Sequence, residues 1–396
     1  METDIFSDLQ KTLVKQLESI EPFRLSPCVL KTSQRISEGD FVILTNDASA
    51  EAARQALDDV TKNSNLPIQS VKIEKNRILV SLDRKETFTR CIQQINSMSS
   101  DYGHCSQFSK EEICFICDRE TSSDDLTNFR VNYLVEIAKN LTSAIGFDVM
   151  ENDESDQKLY FTHKSNSSVD RSQYRLVLCG VVKNAETKMK ETSITVPEYR
   201  RIKNKIMIEE MKDRDKLLLH VTELLTDALL KFNLLHVKIN SPVLMNLNPL
   251  LEDFDGTAVF IMYNYSRLNA IIHEYEERVQ KKCYPPLPSV DSVDFGLLKE
   301  EKEWIILFNF LLQFPNVVLN AGKDIKKGQF SPYILYNFLH NMSRTVSSYY
   351  RSTKILLYNR PQLLPLIVAR MYLIKAVHQV FTNGLNLLGI KPAPAL

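Results

Sequence analysis

The chain has 396 residues, of which 44% are apolar, and its 49 Lys and Arg balance 49 Asp and Glu. This length and apolar content exclude a disordered tail and allow two or three domains with cores of their own. The zero formal charge excludes a chain that is basic throughout, so any nucleic-acid interface would have to be a local basic face.

The amino-terminal residues, the most apolar run and the cysteines bear on where the protein is located. The chain opens on Met1-Glu2-Thr3-Asp4, which lacks the basic and then apolar order of a secretory signal. Its most apolar run, 363–377, carries Arg370 and Lys375, which are costly inside a bilayer. Seven scattered cysteines suit free thiols in a reducing compartment. We therefore expect a cytoplasmic protein that does not cross a membrane.

The amino-terminal third mixes helical and strand-like patterns. An amphipathic helix is predicted over 5–20 and ends at Pro22. The strands and helices predicted after it lie at 41–44, 48–62, 68–73, 78–82 and 86–98. The two strands at 68–73 and 78–82 are expected to form a hairpin. Together these elements predict a small α/β module over residues 1–108.

One set of residues near the end of this module could hold zinc. His104, Cys105, Cys114 and Cys117 would supply four ligands of suitable chemistry. However, Cys114 and Cys117 lie in a run typical of a buried strand, and no second close cysteine pair accompanies them. We therefore expect no metal.

The next region, residues 109–212, begins like a mononucleotide-binding unit. A strand at 113–118, a polar turn, a helix at 129–143 and a strand at 147–150 follow the order of a Rossmann-like fold. The turn reads Asp125-Leu126-Thr127-Asn128, with neither histidine nor glycine. An acidic residue at this place would repel nucleotide phosphates. The pattern predicts a reduced Rossmann-like region.

Two groups of cations follow in the same region. After a strand predicted at 174–182, a loop carries Lys188 and Lys190, and we favour a solvated hairpin tip over a phosphate-binding role for them. A helix predicted from Pro197 then carries Arg200, Arg201, Lys203 and Lys205. These side chains could contact an RNA backbone, although a solvated helix face explains them equally well.

Residues 213–396 predict an all-α body. His220 lies on an apolar helix face and is interpreted as a core-edge histidine rather than a ligand. Tyr284-Pro285-Pro286-Leu287-Pro288 predicts a stiff connection between helices. A core helix containing Trp304 to Leu311 follows, and it is interrupted at Phe314-Pro315.

The last two predicted helices leave charged and aromatic groups outside their apolar seams. Ser331 and Pro332 are expected to begin the first helix, and Gly384 is expected to weaken the end of the second. The two seams are Leu335, Leu339, Met342, Val346 and Tyr349, and then Ile367, Met371, Ile374, Val377 and Phe381. The groups outside them are Arg344, Tyr350, Arg351, Lys354, Arg360 and Arg370. Bases stack on aromatic rings and phosphates attract cations, so this module could suit single-stranded RNA.

The order of these motifs resembles arginyl-tRNA synthetases and their DALR anticodon-binding domain. The likeness spans roughly Ile113 to Ile390. It rests on Tyr263-Asn264-Tyr265-Ser266-Arg267, on Phe314-Pro315-Asn316-Val317-Val318 for the family's Phe-Pro-Glu-Val-Val, on Tyr349-Tyr350, and on the closing Leu387-Leu388-Gly389-Ile390. More weakly, Gly39-Asp40-Phe41 resembles the Gly-Asp-Tyr of the additional domain that precedes catalysis in this family. The fold class this implies is α/β plus all-α, with a truncated Rossmann-like remnant between the α/β module and a DALR-type helical bundle.

Departures from the family concern catalysis. Asp125 to Asn128 stand where arginyl enzymes have His-Val-Gly-His, and Lys188 and Lys190 stand near the position of Lys-Met-Ser-Lys. Most of the catalytic domain between them is missing. The chain therefore resembles a non-catalytic relative of the synthetases, and we expect no adenylation and no cofactor.

What that relationship implies is recognition of arginine tRNAs by the anticodon arm, in support of a partner methyltransferase that forms 3-methylcytidine. We expect Tyr350 to stack on a base and Arg344, Arg351, Lys354, Arg360 and Arg370 to contact phosphates or base edges. The set of expected secondary RNA contacts is Arg200, Arg201, Lys203 and Arg267. No DNA partner is expected. The alternatives are a protein-interaction scaffold that has lost RNA binding and a small-molecule sensor built on the nucleotide fold.

Overall fold

The computed structural model describes residues 30–32, 39–44, 68–74, 77–118, 124–151, 155–166, 169–211, 222–246, 256–357 and 360–392. Predictions that fall outside these residues are the helices at 5–20 and 48–62 and the placement of His220.

Strands and helices alternate in the first half of the described chain, and helices dominate the second half. The strands are β1 Leu30–Thr32, β2 Phe41–Leu44, β3 Ile68–Glu74, β4 Arg77–Leu82, β5 Glu112–Cys117, β6 Asp148–Met150, β7 Lys158–Thr162, β8 Arg175–Leu178, β9 Val182–Asn184 and β10 Val243–Met245. The helices are α1 Arg84–Met98, α2 Leu126–Ala144, α3 Val196–Met211, α4 Thr222–Leu235, α5 Gly256–Gln280, α6 Glu301–Ile306, α7 Phe314–Gly322, α8 Pro332–Ser352 and α9 Leu364–Leu387.

The chain forms two compact units, each assembled from separate segments. Unit 1 comprises Met1–Ser97, Pro286–Gln313 and Leu357–Leu373. Unit 2 comprises Met98–Pro285, Phe314–Leu356 and Ile374–Leu396. Residues of the predicted carboxy-terminal domain, 213–396, thus contribute to both units, and the three domain boundaries stay predictions.

Unit 1 is built on an antiparallel sheet of order β1-β2-β4-β3. The strands and hairpin predicted at 41–44, 68–73 and 78–82 are confirmed, with Phe41 and Val71 both opposite Val80 on its two sides. The Phe41 ring packs edge-on against Phe308 at 5.2 Å. Trp304 and Phe308 are fully buried, as the core helix predicted for this segment requires. That helix ends differently from the prediction, since 307–311 continue as a π turn after α6.

Two buried carboxylates, Asp40 and Glu303, accept hydrogen bonds that connect the separate segments of unit 1. Asp40 accepts hydrogen bonds from the backbone N–H of Leu82 at 2.7 Å and from Nε1 of Trp304 at 2.9 Å. Burial raises the pKa of Asp40, although both donors favour the charged form. Glu303 is fully buried and accepts from Nε of Arg370 at 2.8 Å. These bonds join residues that are distant in sequence.

Unit 2 contains a parallel sheet of order β6-β5-β7-β8. The strands predicted at 113–118 and 147–150 are confirmed as β5 and β6, and the helix predicted at 129–143 is confirmed as α2 between them. The strand predicted over 174–182 is wrong as a single element. β8 pairs with β7 but the chain then turns, and β9 pairs in parallel with β10.

A close backbone approach explains this break. The N–H of Gly180 donates to the carbonyl of Ile239 at 2.7 Å, and a Cβ on Gly180 would lie 2.0 Å from the carbonyl oxygen of Ser241. Arg130 is fully buried beside it and donates to the carbonyls of Gly180, Ser241 and Lys238. Burial lowers the pKa of Arg130 to about 10. An arginine and a glycine far apart in sequence therefore set the local fold.

The two predicted helical seams are confirmed. The seam residues on α8 and α9, from Leu335 to Tyr349 and from Ile367 to Phe381, are all at most 4% exposed. Helix α9 continues three residues past Gly384, to Leu387, and the predicted weakening of its end stays a prediction. A Cβ at Gly384 would lie 2.9 Å from Cδ2 of Leu339, so the glycine allows close packing of α9 on α8.

The end of α9 is held by side chains from α2 and α4. The Tyr133 hydroxyl donates to the carbonyl of Leu388, and Nζ of Lys231 donates to the carbonyl of Gly389, both at 2.6 Å. Gly389 has a φ of +63°, the left-handed conformation that commonly ends a helix. The two carbonyls that directly follow α9 thus have side-chain partners.

Length and composition alone would let two described stretches cross a membrane, Glu301–Lys327 and Leu364–Leu387. However, 61% and 67% of their most apolar windows are buried inside the protein. Core helices have the same character, so these stretches are weak support for a membrane span.

Candidate nucleic-acid interface

Helix α8 has one buried face and one exposed face that carries positive charge. Its exposed positions follow the helical period at Asn337, Asn341, Arg344, Ser348 and Arg351. Lys354 is exposed just beyond the helix, and Nη2 of Arg351 donates to Oγ of Ser347 at 3.2 Å. Ser331 is the N-cap residue and Pro332 the first helical residue, as predicted. The helix therefore presents cations on a rigid element.

Tyr350 lies at the edge of this face and is covered by an arginine from α5. The Arg267 guanidinium lies over the Tyr350 ring, 3.5 Å from its centroid, and 5.8 Å from the centroid of Tyr263. Tyr263 is 48% exposed. By contrast, Tyr349 is fully buried, which agrees with its assignment to the seam. The structure thus brings together two residues, Tyr350 and Arg267, that the sequence assigned to separate sets.

A pocket lies beneath this pair. It is lined by Asn264, Arg267, Leu268, Ile271, Val346, Tyr349, Tyr350, Ile355 and Ile374. Its cavity volume is about 10 Å³, room for one water molecule. The lining combines apolar side chains, two tyrosines, one arginine and one buried amide.

The remaining two predicted RNA contacts, Arg360 and Arg370, belong to unit 1. The other four belong to unit 2 and are Arg344, Tyr350, Arg351 and Lys354. Arg360 is exposed. Arg370 is only 7% exposed and is paired with buried Glu303, so in this structure its guanidinium serves packing rather than an outward-facing contact. Arg370, which lies outside the apolar seam of α9, thus has a buried acidic partner in Glu303.

The expected secondary cations differ in exposure. Arg201 is exposed, as a solvated helix face predicts. Arg200 forms an ion pair with Asp227 and lies 5.3 Å from the Phe129 ring centroid. Lys203 is only 4% exposed, and burial lowers its pKa to about 8. Of the three residues on α3, only Arg201 is therefore placed for an RNA backbone.

The position matching the first nucleotide signature is filled by the chain's own groups. Asp125 is the N-cap of α2, and its Oδ1 accepts from the N–H of Asn128 at 2.7 Å. Oγ1 of fully buried Thr127 accepts from the N–H of Val182 at 3.1 Å. A bound phosphate would need the donors that Asp125 already occupies, and it would meet a carboxylate there.

The second set of degenerate positions lies on an exposed loop. Lys188 and Lys190 are exposed, and Met189 between them is 72% exposed. Nζ of Lys190 lies 3.7 Å from Oδ2 of Asp125, so the structure brings the two degenerate signatures together. The lysine neutralises the aspartate rather than leaving two cations for a triphosphate.

The residues considered for zinc are dispersed among other partners. Cys114 is buried in β5, Sγ of Cys117 lies 3.5 Å from Oδ1 of Asn132, and Cys105 lies near the carbonyl of Ile145. Within the described ranges, no group of three His, Cys, Asp or Glu side chains could hold a metal.

Charge is distributed unevenly along the sequence, and this distribution supports the same face of α8. The net charge of the whole chain, which is zero, hides it. Residues 325–396 contain nine Lys and Arg but no Asp or Glu, so the first 324 residues carry 40 against 49. The exposed cations of α8 therefore lie on a segment without acidic residues. A count by region, instead of by chain, would have found it.

Comparison with known families matches the part of the chain that contains Arg267, Tyr350 and α8. A model of the DALR anticodon binding domain matches residues 261–396. The DALR anticodon-binding domain-containing protein 3 of Mus musculus is 30% identical over 227 residues, which are 54% of this chain and 42% of that protein. The arginine–tRNA ligase of Borreliella burgdorferi is 28% identical over 159 residues, 40% of this chain and 24% of the ligase. The matched segment spans less than half the length of each relative.

Solved structures extend the likeness to most of the fold. Arginyl-tRNA synthetase from Thermus thermophilus superposes with a TM-score of 0.65 at 10% identity, covering 98% of this chain and all of that one. The enzyme from Plasmodium falciparum gives the same TM-score and identity, covering 99% of both chains. At this identity the likeness shows a shared fold.

Proposed function

We propose that this chain, which carries a DALR anticodon-binding domain and is a relative of DALR anticodon-binding domain-containing protein 3, is a tRNA-binding adaptor without aminoacylation chemistry of its own. The proposal places the anticodon arm of the tRNA against α8 and the Arg267–Tyr350 pair.

The observation that carries it is the exposed cationic face of α8 beside a stacked aromatic. Arg344 and Arg351 lie on that face, and Tyr350 lies at its edge. The planar guanidinium of Arg267 stacks on the Tyr350 ring. Phosphates of a single-stranded loop attract the arginines, and a base can stack on the tyrosine. The absence of Asp and Glu from residues 325–396 removes local repulsion of the RNA backbone.

The proposed loss of adenylation rests on the occupied nucleotide position. Asp125 caps α2 with its own carboxylate, and Lys190 pairs with that carboxylate. Since the donors and the cation both serve internal partners, the triphosphate of ATP has no prepared site there. Pyrophosphate exchange with arginine and tRNA is expected at background level.

The finer part of the proposal concerns the tRNA and its use. We propose that the tRNA is an arginine tRNA, and that the bound tRNA is presented in the cytoplasm to a partner methyltransferase that forms 3-methylcytidine. The support is the DALR domain together with the likeness to proteins named for anticodon binding and for arginine tRNA.

A filter-binding titration tests the function. Arginine and non-arginine tRNA transcripts are titrated against the full chain at several salt concentrations, with Arg344→Gln and Arg351→Gln combined as the variant and Lys139→Gln on α2 as the exposed single-charge control. We expect preferential binding of arginine tRNA, weakened by the double variant and by salt. Equal, weak binding of every tRNA with no effect of the variant would favour the protein-interaction scaffold.

A further inference from the structure

Two of the four large apolar side chains that are exposed in the described ranges belong to the small sheet of β9 and β10 in unit 2. Leu244 is the central residue of β10 and is 47% exposed, and Met189 is 72% exposed in the loop after β9. Single exposed apolar side chains are ordinary on a protein surface, whereas neighbouring ones mark a candidate interaction surface.

Backbone pairing places Leu244 beside a lysine. Lys183 of β9 pairs with Leu244 of β10 on one side and with Lys190 on the other. Side chains of paired residues lie on the same face of a sheet, about 5 Å apart across neighbouring strands. The other two residues of β10 are buried on the opposite face. One face of this sheet thus belongs to the core, and the other presents an apolar side chain next to cations.

The backbone of Leu244 also faces the outer edge of this sheet. The N–H of Val243 donates to the carbonyl of Val181 at 3.0 Å, and the carbonyl of Met245 accepts from the N–H of Ala185 at 2.9 Å. Alternate residues of a parallel strand bond to one neighbour, so the N–H and C=O of Leu244 point away from β9. Among the described residues, neither group has a hydrogen-bond partner. An uncharged edge strand of this kind is a template for another chain.

The loop after β9 holds Met189 outward on a fixed backbone. Oδ1 of Asn184 accepts from the N–H of Glu186 at 2.9 Å and from the N–H of Thr187 at 3.2 Å. The N–H of Asn184 donates to the carbonyl of Met189 at 3.0 Å. Lys188 has a φ of +60°, an uncommon conformation for a residue with a side chain. The backbone that presents Met189 is thus ordered before a partner arrives, which lowers the entropy cost of binding.

The charge around these apolar side chains is positive. Residues 183–190 carry three lysines against one glutamate. Within the part of the chain that the structure describes, Lys183 and Lys188 have no acidic partner. Cations beside exposed apolar groups complement a partner that offers acidic and apolar side chains. An RNA backbone would neutralise the lysines but leave Leu244 and Met189 in water, so a protein suits this surface better.

We propose that β10 and the loop 185–189 form a docking surface for an acidic partner protein, a segment of which bonds to the free edge of β10 and covers Leu244 and Met189. Main-chain bonds at the edge supply affinity in this mode of recognition, and the side chains of the segment supply specificity. Its acidic groups pair with Lys183 and Lys188. The inference goes beyond tRNA binding, because none of these residues is among the proposed RNA contacts.

The test uses a random peptide library displayed on phage and panned against the full chain. We expect the enriched peptides to combine acidic and apolar side chains. In fluorescence anisotropy, Leu244→Ser and Met189→Ser should each weaken binding of such a peptide about tenfold, the usual effect of losing the burial of one large apolar side chain. Lys188→Glu should weaken it about threefold at low salt and less at high salt.

Two matched controls replace exposed residues elsewhere in unit 2. Leu178→Ser removes a leucine at the end of β8 that is 39% exposed, and Lys139→Glu reverses a charge on α2. Both variants should bind the peptide like the wild type. The Leu244 and Met189 variants should keep the tRNA affinity of the wild type, which shows that they are folded and separates this proposal from the proposed function.

Four results would overturn the docking surface. Panning could enrich no peptide, or only peptides without acidic side chains. Binding could survive in a chain that carries both Leu244→Ser and Met189→Ser. The same variants could weaken tRNA binding, which would assign the surface to RNA. Finally, sedimentation could show that the wild type self-associates and that Leu244→Ser abolishes this, which would make a second copy of the chain the occupant.

Discussion

The guanidinium of Arg267 covers the ring of Tyr350 at 3.5 Å from its centroid. A base that takes this place gains stacking worth about 1–3 kcal/mol. Tyr350→Ala should therefore weaken tRNA binding about tenfold or more, whereas Tyr350→Phe should retain most of the affinity because the ring remains. Filter binding measures both. Tyr333→Ala, at the other end of α8, is the control and should bind like the wild type.

Salt dependence should report the phosphate contacts of α8. Each neutralised phosphate on single-stranded RNA contributes about −0.7 to the slope of log affinity against log salt. Arg344→Gln and Arg351→Gln should each make that slope shallower by about this amount, because both side chains are exposed on the same helix face. Lys139→Gln on α2 removes the same charge elsewhere. A slope unchanged in both arginine variants would contradict the proposed face.

The bond between Asp40 and Trp304 predicts a stability effect in unit 1. Asp40→Ala leaves two buried donors, the Leu82 N–H and the Trp304 Nε1, without their acceptor. Each such loss costs about 1–3 kcal/mol, so the free energy of unfolding should fall by about 2–6 kcal/mol. Urea denaturation can be followed by the fluorescence of Trp304, the single tryptophan of the chain. Asp291→Ala, an exposed position in the same unit, should change stability little.

His378 predicts a pH dependence in unit 2. Its ring stacks on Tyr265 at 4.7 Å, and burial, with Lys375 nearby, lowers its pKa to about 4. In the unfolded chain a histidine has a pKa of about 6.5, so between these values the unfolded state holds a proton that the folded state lacks. Stability is thus complete above about pH 6.5 and falls as the pH drops toward 4, by up to about 2 kcal/mol at pH 5.

His378→Phe keeps the ring but removes the titration. The decline in the free energy of unfolding between pH 7 and pH 5 should be smaller in this variant than in the wild type. Urea denaturation at both pH values measures the difference. His273→Phe on α5 serves as the control, since that ring is 65% exposed and should not alter the decline.

The sequence predicted those helices and strands whose apolar residues repeat at a regular spacing within one short segment. The seams of α8 and α9 follow from apolar spacing alone, and the resemblance read from the motifs is confirmed by the relatives that carry the same domain. The same logic explains β3 and β4, whose alternating patterns lie side by side in sequence.

What the sequence did not reveal depends on partners far along the chain. The break after β8 comes from Gly180 meeting Ser241, and the role of Arg370 comes from Glu303. Arg267 and Tyr350 are both visible as candidates, but no local period indicates that one covers the other. Long-range pairs of this kind need the folded chain before they can be assigned.

The discontinuous build of unit 1 has a consequence for synthesis on the ribosome. Its first segment ends at Ser97, but its last segment ends at Leu373, which is 276 residues later. At a translation rate of about 5–20 residues per second, the nascent sheet waits tens of seconds for the helices that bury it. The newborn chain is therefore a natural client for chaperones that shield apolar surface until the last segment emerges.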